Sequence, residues 1–329
     1  MALHRLGHSI QIVDEYHYYP LTWRSVPARL LRKLCRPILV HELLLEARRF
    51  AAAFDPEAVF VFKGNSVHPD VIRFYKARGT PCLNFYPDVS FAVHGRYIPK
   101  TLPLYDHVFT TKSWGIADMQ SQLGLKHVSF LEHGYDPEIH RPLSLTGSDQ
   151  DRYGCDVVFI GTWSPKKEAI LSELKRSLPN LKMKIWGIYW QNSRSPELTS
   201  SIMGDELLGE AYSRALQAST ICLGILSEQR KGASSGDLIT SRTFNIPACG
   251  AFMLHERNDE AVRYFDEGSE AEFYGSAEEL AQKVTYYLEH PEKRAAIAAA
   301  GRQRCFNSGY SLDDRMRTVT AWLSSRLRS

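Results

Sequence analysis

No run of apolar residues in this chain approaches the ~20 that a membrane-spanning helix needs. The N-terminus also lacks the charged segment and apolar core of an export signal. Cysteines are few and scattered: Cys35, Cys82, Cys155, Cys222, Cys249 and Cys305 include no CxxC pair. That spacing speaks against a zinc site or a disulfide framework and predicts reduced thiols in a cytoplasmic protein. A formal charge of +3 is too small to call for nucleic acid as a partner. There is no Walker loop, no GxSxG elbow and no acidic pair at a strand end. No His/Cys/carboxylate group has metal-ligand spacing. P-loop chemistry, an esterase-type serine and a bound metal are therefore not expected.

What is present is a long alternation of strand-like and helix-like segments. The chain of 329 residues has room for two domains of ordinary composition, 44% hydrophobic and 23% charged. Strands are predicted at Ser9–Asp14, Ala58–Lys63, Cys82–Tyr86, His107–Thr111 and His127–Phe130. A second series follows at Asp156–Gly161, Lys182–Gly187, Ile221–Leu226 and Gly250–Leu254. Helical spacing lies between them, at Ile38–Phe54, Pro69–Arg78, Lys167–Ser177, Gly209–Gln217, Asp259–Phe265, Ala277–His290 and Pro291–Phe306. This is the pattern of parallel sheets with crossover helices. The polar stretch Leu143–Tyr153 is predicted as a linker, giving domains at 1–145 and 154–310. Residues 311–329 read as one amphipathic helix crossing back to the first domain. Met1–Gly7 looks like the end of a helix, so the usual first strand and its glycine turn are expected to be missing from the first domain.

Ligands of open α/β sheets bind beyond the carboxyl ends of the strands, and polar groups collect there. Gly161-Thr162-Trp163-Ser164-Pro165-Lys166-Lys167 leads from a strand into a helix. It is either an anion site suited to a diphosphate or a plain solvated helix start. Gly187, Tyr189 and Trp190 follow the next strand; the aromatics either stack on a nucleobase or pack into the core. The richest segment, 231–260, carries Asp237, Thr240, Arg242 and Asn245. Arg242 offers a planar fork for phosphate, and Asp237 and Asn245 offer hydrogen bonds to sugar hydroxyls. In the first half, Lys63, Asn65 and Asp88 follow strands; Asp88 is an acceptor-binding group, a base or the N-cap of a turn. His133-Gly134 lies in a turn near the domain junction. Arg24, Arg29, Arg32, Lys33 and Arg36 surround Leu30, Leu31 and Leu34. That segment is either a basic amphipathic surface for peripheral membrane contact or a helix that packs its leucines.

Ser241-Arg242-Thr243-Phe244-Asn245-Ile246-Pro247-Ala248-Cys249-Gly250, with Ala277–Leu280 and His290–Arg294, resembles the C-terminal domain of CgeB-like glycosyltransferases (spore maturation protein type), relatives of the retaining GT-B group 1, family 4-like enzymes. The resemblance extends to Val157–Gly161 and His133–Pro142 and, more faintly, to Lys63-Gly64-Asn65. It implies a GT-B fold, two Rossmann-like domains facing a cleft, with a nucleotide diphosphate-sugar held by the second domain and no cofactor. Lys166 and Lys167 match the basic positions that hold the diphosphate. Asp237 and Asn245 stand where the group carries two glutamates eight positions apart, the second of them bonded to ribose. The implied activity is metal-independent sugar transfer with retention. Its catalytic residues would be Asp237, Arg242 and Asp88, with Lys63, Asn65 and His133 on the side of an unidentified glycan, lipid, protein or small-molecule acceptor. The other reading is a non-catalytic sugar-nucleotide or glycan-binding protein on the same fold.

Overall fold

A computed structural model describes residues 1–14 and 26–327. The chain divides into two compact units. The first holds residues up to Glu132, Gln229–Gly236 and the chain from Met316; the second holds His133–Glu228 and Asp237–Arg315.

In the first unit, short runs of apolar and aromatic residues become the strands β1 (Val59–Phe62), β2 (Cys82–Tyr86), β3 (His107–Thr110) and β4 (Val128–Phe130). All are parallel, in the order β1-β2-β3-β4. Every residue of β2 is buried, as an inner strand covered on both faces should be. The longer helices are α1 (Val26–Leu34), α2 (Arg36–Phe54), α3 (Pro69–Ala77) and α4 (Gly115–Leu123). His68 caps α3, its Nδ1 accepting from the Asp70 amide, and Pro69 sits at the first helical position. Ala47, Ala51, Ile72, Tyr86, Ile98, Leu102, Val108 and Met119 form the core between helices and sheet. The expected strand at Ser9–Asp14 does not form, although Met1–Gly7 does contain a helical turn at Ala2–Arg5.

The second unit opens with α5 (Gly147–Tyr153), inside the stretch expected to be a linker. The sequence reading took its polar residues for a connector. Thr146 and Asp149 instead close a capping box that satisfies the first amides of a helix. The strands β5 (Cys155–Ile160), β6 (Met183–Trp186), β7 (Ile202–Gly204), β8 (Ser219–Gly224), β9 (Met253–Glu256) and β10 (Glu272–Tyr274) are all parallel. Their order is β10-β9-β8-β5-β6-β7. The chain therefore moves outward from β5 to β7, returns to pair β8 with β5, and continues outward on the other side. The β5/β8 boundary is the topological switch point, where open α/β sheets leave a crevice at the carboxyl edge.

The helices of this unit are α6 (Pro165–Ser177), α7 (Glu210–Ala218), α8 (Ser241–Ala248), α9 (Ala277–Glu289) and α10 (Pro291–Asn307). Asp259–Phe265, expected to be helical, forms only a short 3-10 turn at Ala261–Arg263. Val157, Phe159, Ile185, Ile221, Leu223 and Leu254 of the sheet pack against Leu171, Leu174, Leu280 and Val284 of the helices. The last helix, α11 (Leu312–Leu327), continues from Met316 as part of the first unit, with the Trp322 ring 4.9 Å from that of His107. Among the described residues no helix is long and apolar enough to cross a membrane. All six cysteines are free thiols, five of them buried.

Candidate functional site at the sheet switch point

The carboxyl ends of β5, β6, β8 and β9 converge through their loops, and most polar residues singled out in the second half of the sequence lie there. β5 and β6 end in glycines whose backbones nearly touch. Gly161 N donates to Trp186 O at 2.9 Å, and Trp163 N donates to Ile188 O at 3.0 Å. Gly187 has φ +144°, and a Cβ placed on it would lie 2.1 Å from the Gly161 carbonyl oxygen. Only glycine fits such a position, where the backbone conformation and the approach both exclude a side chain. Trp190 then reaches across, donating from Nε1 to that same carbonyl at 2.8 Å.

Trp190 is 1% exposed and meets Phe159 edge to face. It is a core residue that braces the loop, and a base-stacking role for it is excluded in this conformation. Tyr189 is the open ring of the pair, exposed, with φ +70°.

The loop from β5 enters α6 through Ser164, whose Oγ accepts from the Lys167 amide, and Pro165. Of the two lysines there, Lys167 is buried. Its ammonium donates to Thr162 O at 3.1 Å and Ser227 Oγ at 3.0 Å, tying the β5 and β8 loops together. Lys166 is part-exposed and pairs with Glu256 Oε1 at 2.6 Å, while Glu256 Oε2 accepts from Leu226 N at 3.0 Å. The expectation of two equivalent phosphate-facing lysines thus resolves into one brace and one accessible cation. Sequence reasoning did not single out Glu168. It accepts from Trp163 Nε1, Ser193 Oγ, Arg194 N and both the amide and hydroxyl of Ser195 at 2.7–3.1 Å. Partial burial opposes its charge, but these bonds outweigh that and hold its pKa below the usual value.

Arg242 stands at the switch point itself. Thr240 and Thr243 start α8, with Thr240 N donating to Thr243 Oγ1 at 3.0 Å. The first turn carries the half-buried Arg242 guanidinium to the ends of the two central strands. Nη1 lies 3.4 Å from Ile160 O and Nη2 donates to Ile225 O at 2.8 Å. The guanidinium lies 5.4 Å from the centre of the Phe159 ring, and its Nε is buried without a hydrogen-bond partner. Burial lowers the pKa of Arg242, against the pull of Tyr212, Asp237 and Tyr274, yet a guanidinium stays charged.

Asn245, three residues on and so on the same helix face, is buried, and its side-chain oxygen also lacks a partner. Asp237 exchanges backbone bonds with the β8 loop: its amide donates to Ser227 O at 2.9 Å, and its Oδ2 lies 3.4 Å from Ser227 N. Pro247 falls in the last turn of α8.

Beneath α8, His255 is fully buried. Its Nε2 lies 3.0 Å from Thr243 Oγ1 and its Nδ1 2.7 Å from Glu256 O. Burial pushes its pKa down to about 4. Protonation therefore favours the unfolded chain: stability is intact above the ordinary histidine pKa of about 6.5. It falls as pH drops from there and levels off below 4. The full shift is worth about 3 kcal/mol. Thermal melts between pH 7 and 4 should show a steep acid loss that is visibly shallower in His255→Gln.

Three candidates lie in the first unit. Lys63, left-handed at φ +62°, closes an ion pair with Asp88 at 2.7 Å beyond β1 and β2, and Asn65 follows in the same β1 loop. Asp88 is followed by a bend and a turn, and no helix starts directly after it. His94 Nε2 lies 3.6 Å from Asp88 Oδ2, a neighbour the sequence reading missed although it sits in the loop that Asp88 opens. His133 belongs to the second unit, where its carbonyl accepts from Arg315 Nε at 3.2 Å. The adjoining Tyr135 exchanges backbone bonds with Tyr310 and Leu312, so this turn has a structural task.

Residues 166–321, which take in Lys166, Lys167, Asp237, Arg242 and Asn245, match the family model described as Glycosyl transferase-like. No curated protein matches the chain. Among solved structures, similarity extends to a glycosyltransferase from Rickettsia africae at 14% identity and TM-score 0.60, over 89% of this chain and 83% of that one. HepE from Anabaena, in complex with UDP-glucose, is similar at 13% identity and TM-score 0.61, over 87% and 82%. Sucrose-phosphate synthase from Thermosynechococcus elongatus is similar at 12% identity and TM-score 0.61, over 91% and 80%. At such identities the likeness is one of fold, and the fold is GT-B. The matched region thus takes in the charged α8 beside the sheet switch point.

Proposed function

We propose that the chain transfers a sugar from a nucleotide diphosphate-sugar to an acceptor hydroxyl with retention of configuration, and that its own cations do the work a metal would otherwise do. The observation that carries this is the position of Arg242. A half-buried guanidinium with an unpartnered Nε sits at the carboxyl edge of β5 and β8, where the fold leaves its crevice.

In the transfer, the bond between the anomeric carbon and the diphosphate oxygen breaks and a bond to the acceptor oxygen forms. The acceptor proton leaves with the diphosphate. Negative charge grows on the leaving group, so Arg242 and the accessible Lys166 are the preorganised groups that stabilise it. Lys167 and Trp190 act by positioning, because each holds the loop that carries Lys166. Asp237 would orient the donor sugar and Asn245 the ribose, with its buried side-chain oxygen as acceptor. Tyr189 offers a face to the base. Lys63 and Asp88, and with them His94, stand for the acceptor side in the first unit. HepE, a fold relative, binds UDP-glucose, which makes UDP the first nucleotide to try. The CgeB-like assignment rests on the R-x-F-x-I-P-A-C-G string of α8.

The test is calorimetry of the protein against UDP, GDP and dTDP, followed by assay of donor hydrolysis without acceptor. One nucleotide should bind with micromolar affinity and its sugar derivative should turn over slowly. Tight binding with no turnover under any donor would identify a sugar-nucleotide-binding protein instead, a reading that Asp237 and Asn245 at the two glutamate positions make worth testing. Failure of a folded sample to bind any of the three would overturn both.

A further inference from the structure

The helix α1 and the start of α2 turn their apolar side chains to solvent. Leu30 is 59% exposed, Leu31 50%, Leu34 70% and Ile38 64%. These residues fall at helical spacings i, i+1, i+4 and i+8, and the chain runs from α1 to α2 with Cys35 N bonded to Leu31 O and Leu39 N to Cys35 O. They form one apolar stripe over about three turns. The bland sequence reading, a helix that packs its leucines, is thereby overturned within this unit. Arg24 and the side chains of Arg29, Arg32 and Arg36 lie outside the described residues.

Charge decides what covers the stripe. From Tyr16 to His41 the sequence contains no Asp or Glu, whereas Arg29, Arg32, Lys33 and Arg36 share the segment with the stripe, and Lys33 is exposed beside it. The rest of the chain is close to neutral, with 40 basic and 37 acidic residues overall. A partner with an acidic surface and an apolar layer beneath it matches both features. A helix of this kind lies in the plane of a bilayer interface, leucines in the acyl boundary and cations among the headgroups.

We propose that α1 and the first turn of α2 dock this chain on an anionic lipid surface, as a peripheral contact without a span. This does not depend on the sugar-transfer reading, since it concerns a different face and a different ligand. Binding should be electrostatic and apolar together. Each basic residue near an anionic surface is worth roughly a fivefold change in partitioning, and salt should weaken it.

The test is co-sedimentation of the full chain with vesicles of phosphatidylcholine containing 30% phosphatidylserine (roughly a physiological anionic leaflet), and with pure phosphatidylcholine. We expect pelleting with the anionic vesicles only, reversed by high salt. The loss should be about 25-fold or more in Arg29→Glu/Lys33→Glu, and substantial in Leu30→Ser/Leu34→Ser/Ile38→Ser. Leu30, Lys33, Leu34 and Ile38 are exposed, so circular dichroism and melting temperature should match the parent. A variant that fails that control is replaced by Leu34→Ser alone. Equal binding to neutral vesicles, or none to either, overturns the proposal. So does a concentration-dependent dimer by light scattering that the serine variant abolishes while vesicle binding stays absent, since the stripe would then be a protein interface.

Discussion

Replacing Arg242 by alanine is expected to weaken nucleotide binding by a factor of roughly 30 to several thousand, the 2–5 kcal/mol typical of losing one partner of a buried, hydrogen-bonded charge pair. The size follows from where the guanidinium sits. It is held by Ile160 O at the end of β5 and by Ile225 O just past β8, in opposite halves of the sheet, and it lies over Phe159. A diphosphate placed in the crevice would meet a cation already desolvated and oriented, so little reorganisation opposes binding. Arg242→Lys keeps a charge but loses the planar fork and the two-strand anchorage, and should recover only part of the affinity. Because charged hydrogen bonds to the two carbonyls are also lost, the alanine variant should melt lower by an amount of order 1–3 kcal/mol. Calorimetry with UDP alongside a denaturant titration separates the two effects. A folded Arg242→Ala protein that binds its nucleotide as the parent does would remove the donor site from the switch point.

Gly187→Ala carries the second large effect, on stability. A Cβ there would meet the Gly161 carbonyl oxygen at 2.1 Å, and φ +144° is itself poor for any other residue. Backbone strain of about 1–3 kcal/mol adds to overpacking of about 1–3 kcal/mol, giving roughly 2–6 kcal/mol. The relief available is to part the ends of β5 and β6, which would break the Trp190–Gly161 bond and loosen the loop that carries Lys166 and Lys167. Gly204 supplies the control. It shares φ +144°, but nothing lies within 4 Å of the position of its Cβ. Gly204→Ala should therefore show the strain without the overlap, and urea midpoints of the two variants should differ by the overlap alone. Equal midpoints would mean that the close approach of β5 and β6 contributes nothing.

Which parts of this architecture were legible beforehand follows from how local their causes are. The β2 run Cys82–Tyr86 was found to the residue, and β5, β6 and β8 within one or two, because a strand covered on both faces is a continuous apolar run whatever its neighbours are. The starts of α6 and α9 lie in Ser164-Pro165 and in Ser276, whose side chains cap the helices that follow. The stretch Gly147–Tyr153 had the same kind of signal in Thr146 and Asp149, yet its polarity read as a connector. The two edge strands of the six-stranded sheet, Ile202–Gly204 and Glu272–Tyr274, were missed. Three residues carry no periodicity, and these are strands only because β6 and β9 offer them backbone partners.

The candidate site divides in the same way. By its order of residue types alone, the sequence determined two α/β units, polar loops at the strand ends, and a charged helix start around Arg242. Only the tertiary structure decided which of those polar groups are available. Trp190 and Lys167 look in sequence like Tyr189 and Lys166 beside them. Yet a neighbouring backbone carbonyl and a serine hydroxyl from distant segments claim the first two, while Tyr189 stays exposed and Lys166 stays part-exposed in its pair with Glu256. The burial of His255 under α8 and the approach of His94 to Asp88 are likewise products of packing. Such pairings depend on which loops the sheet order brings together, and strand order is a property of the whole fold, with no trace in any local stretch of sequence.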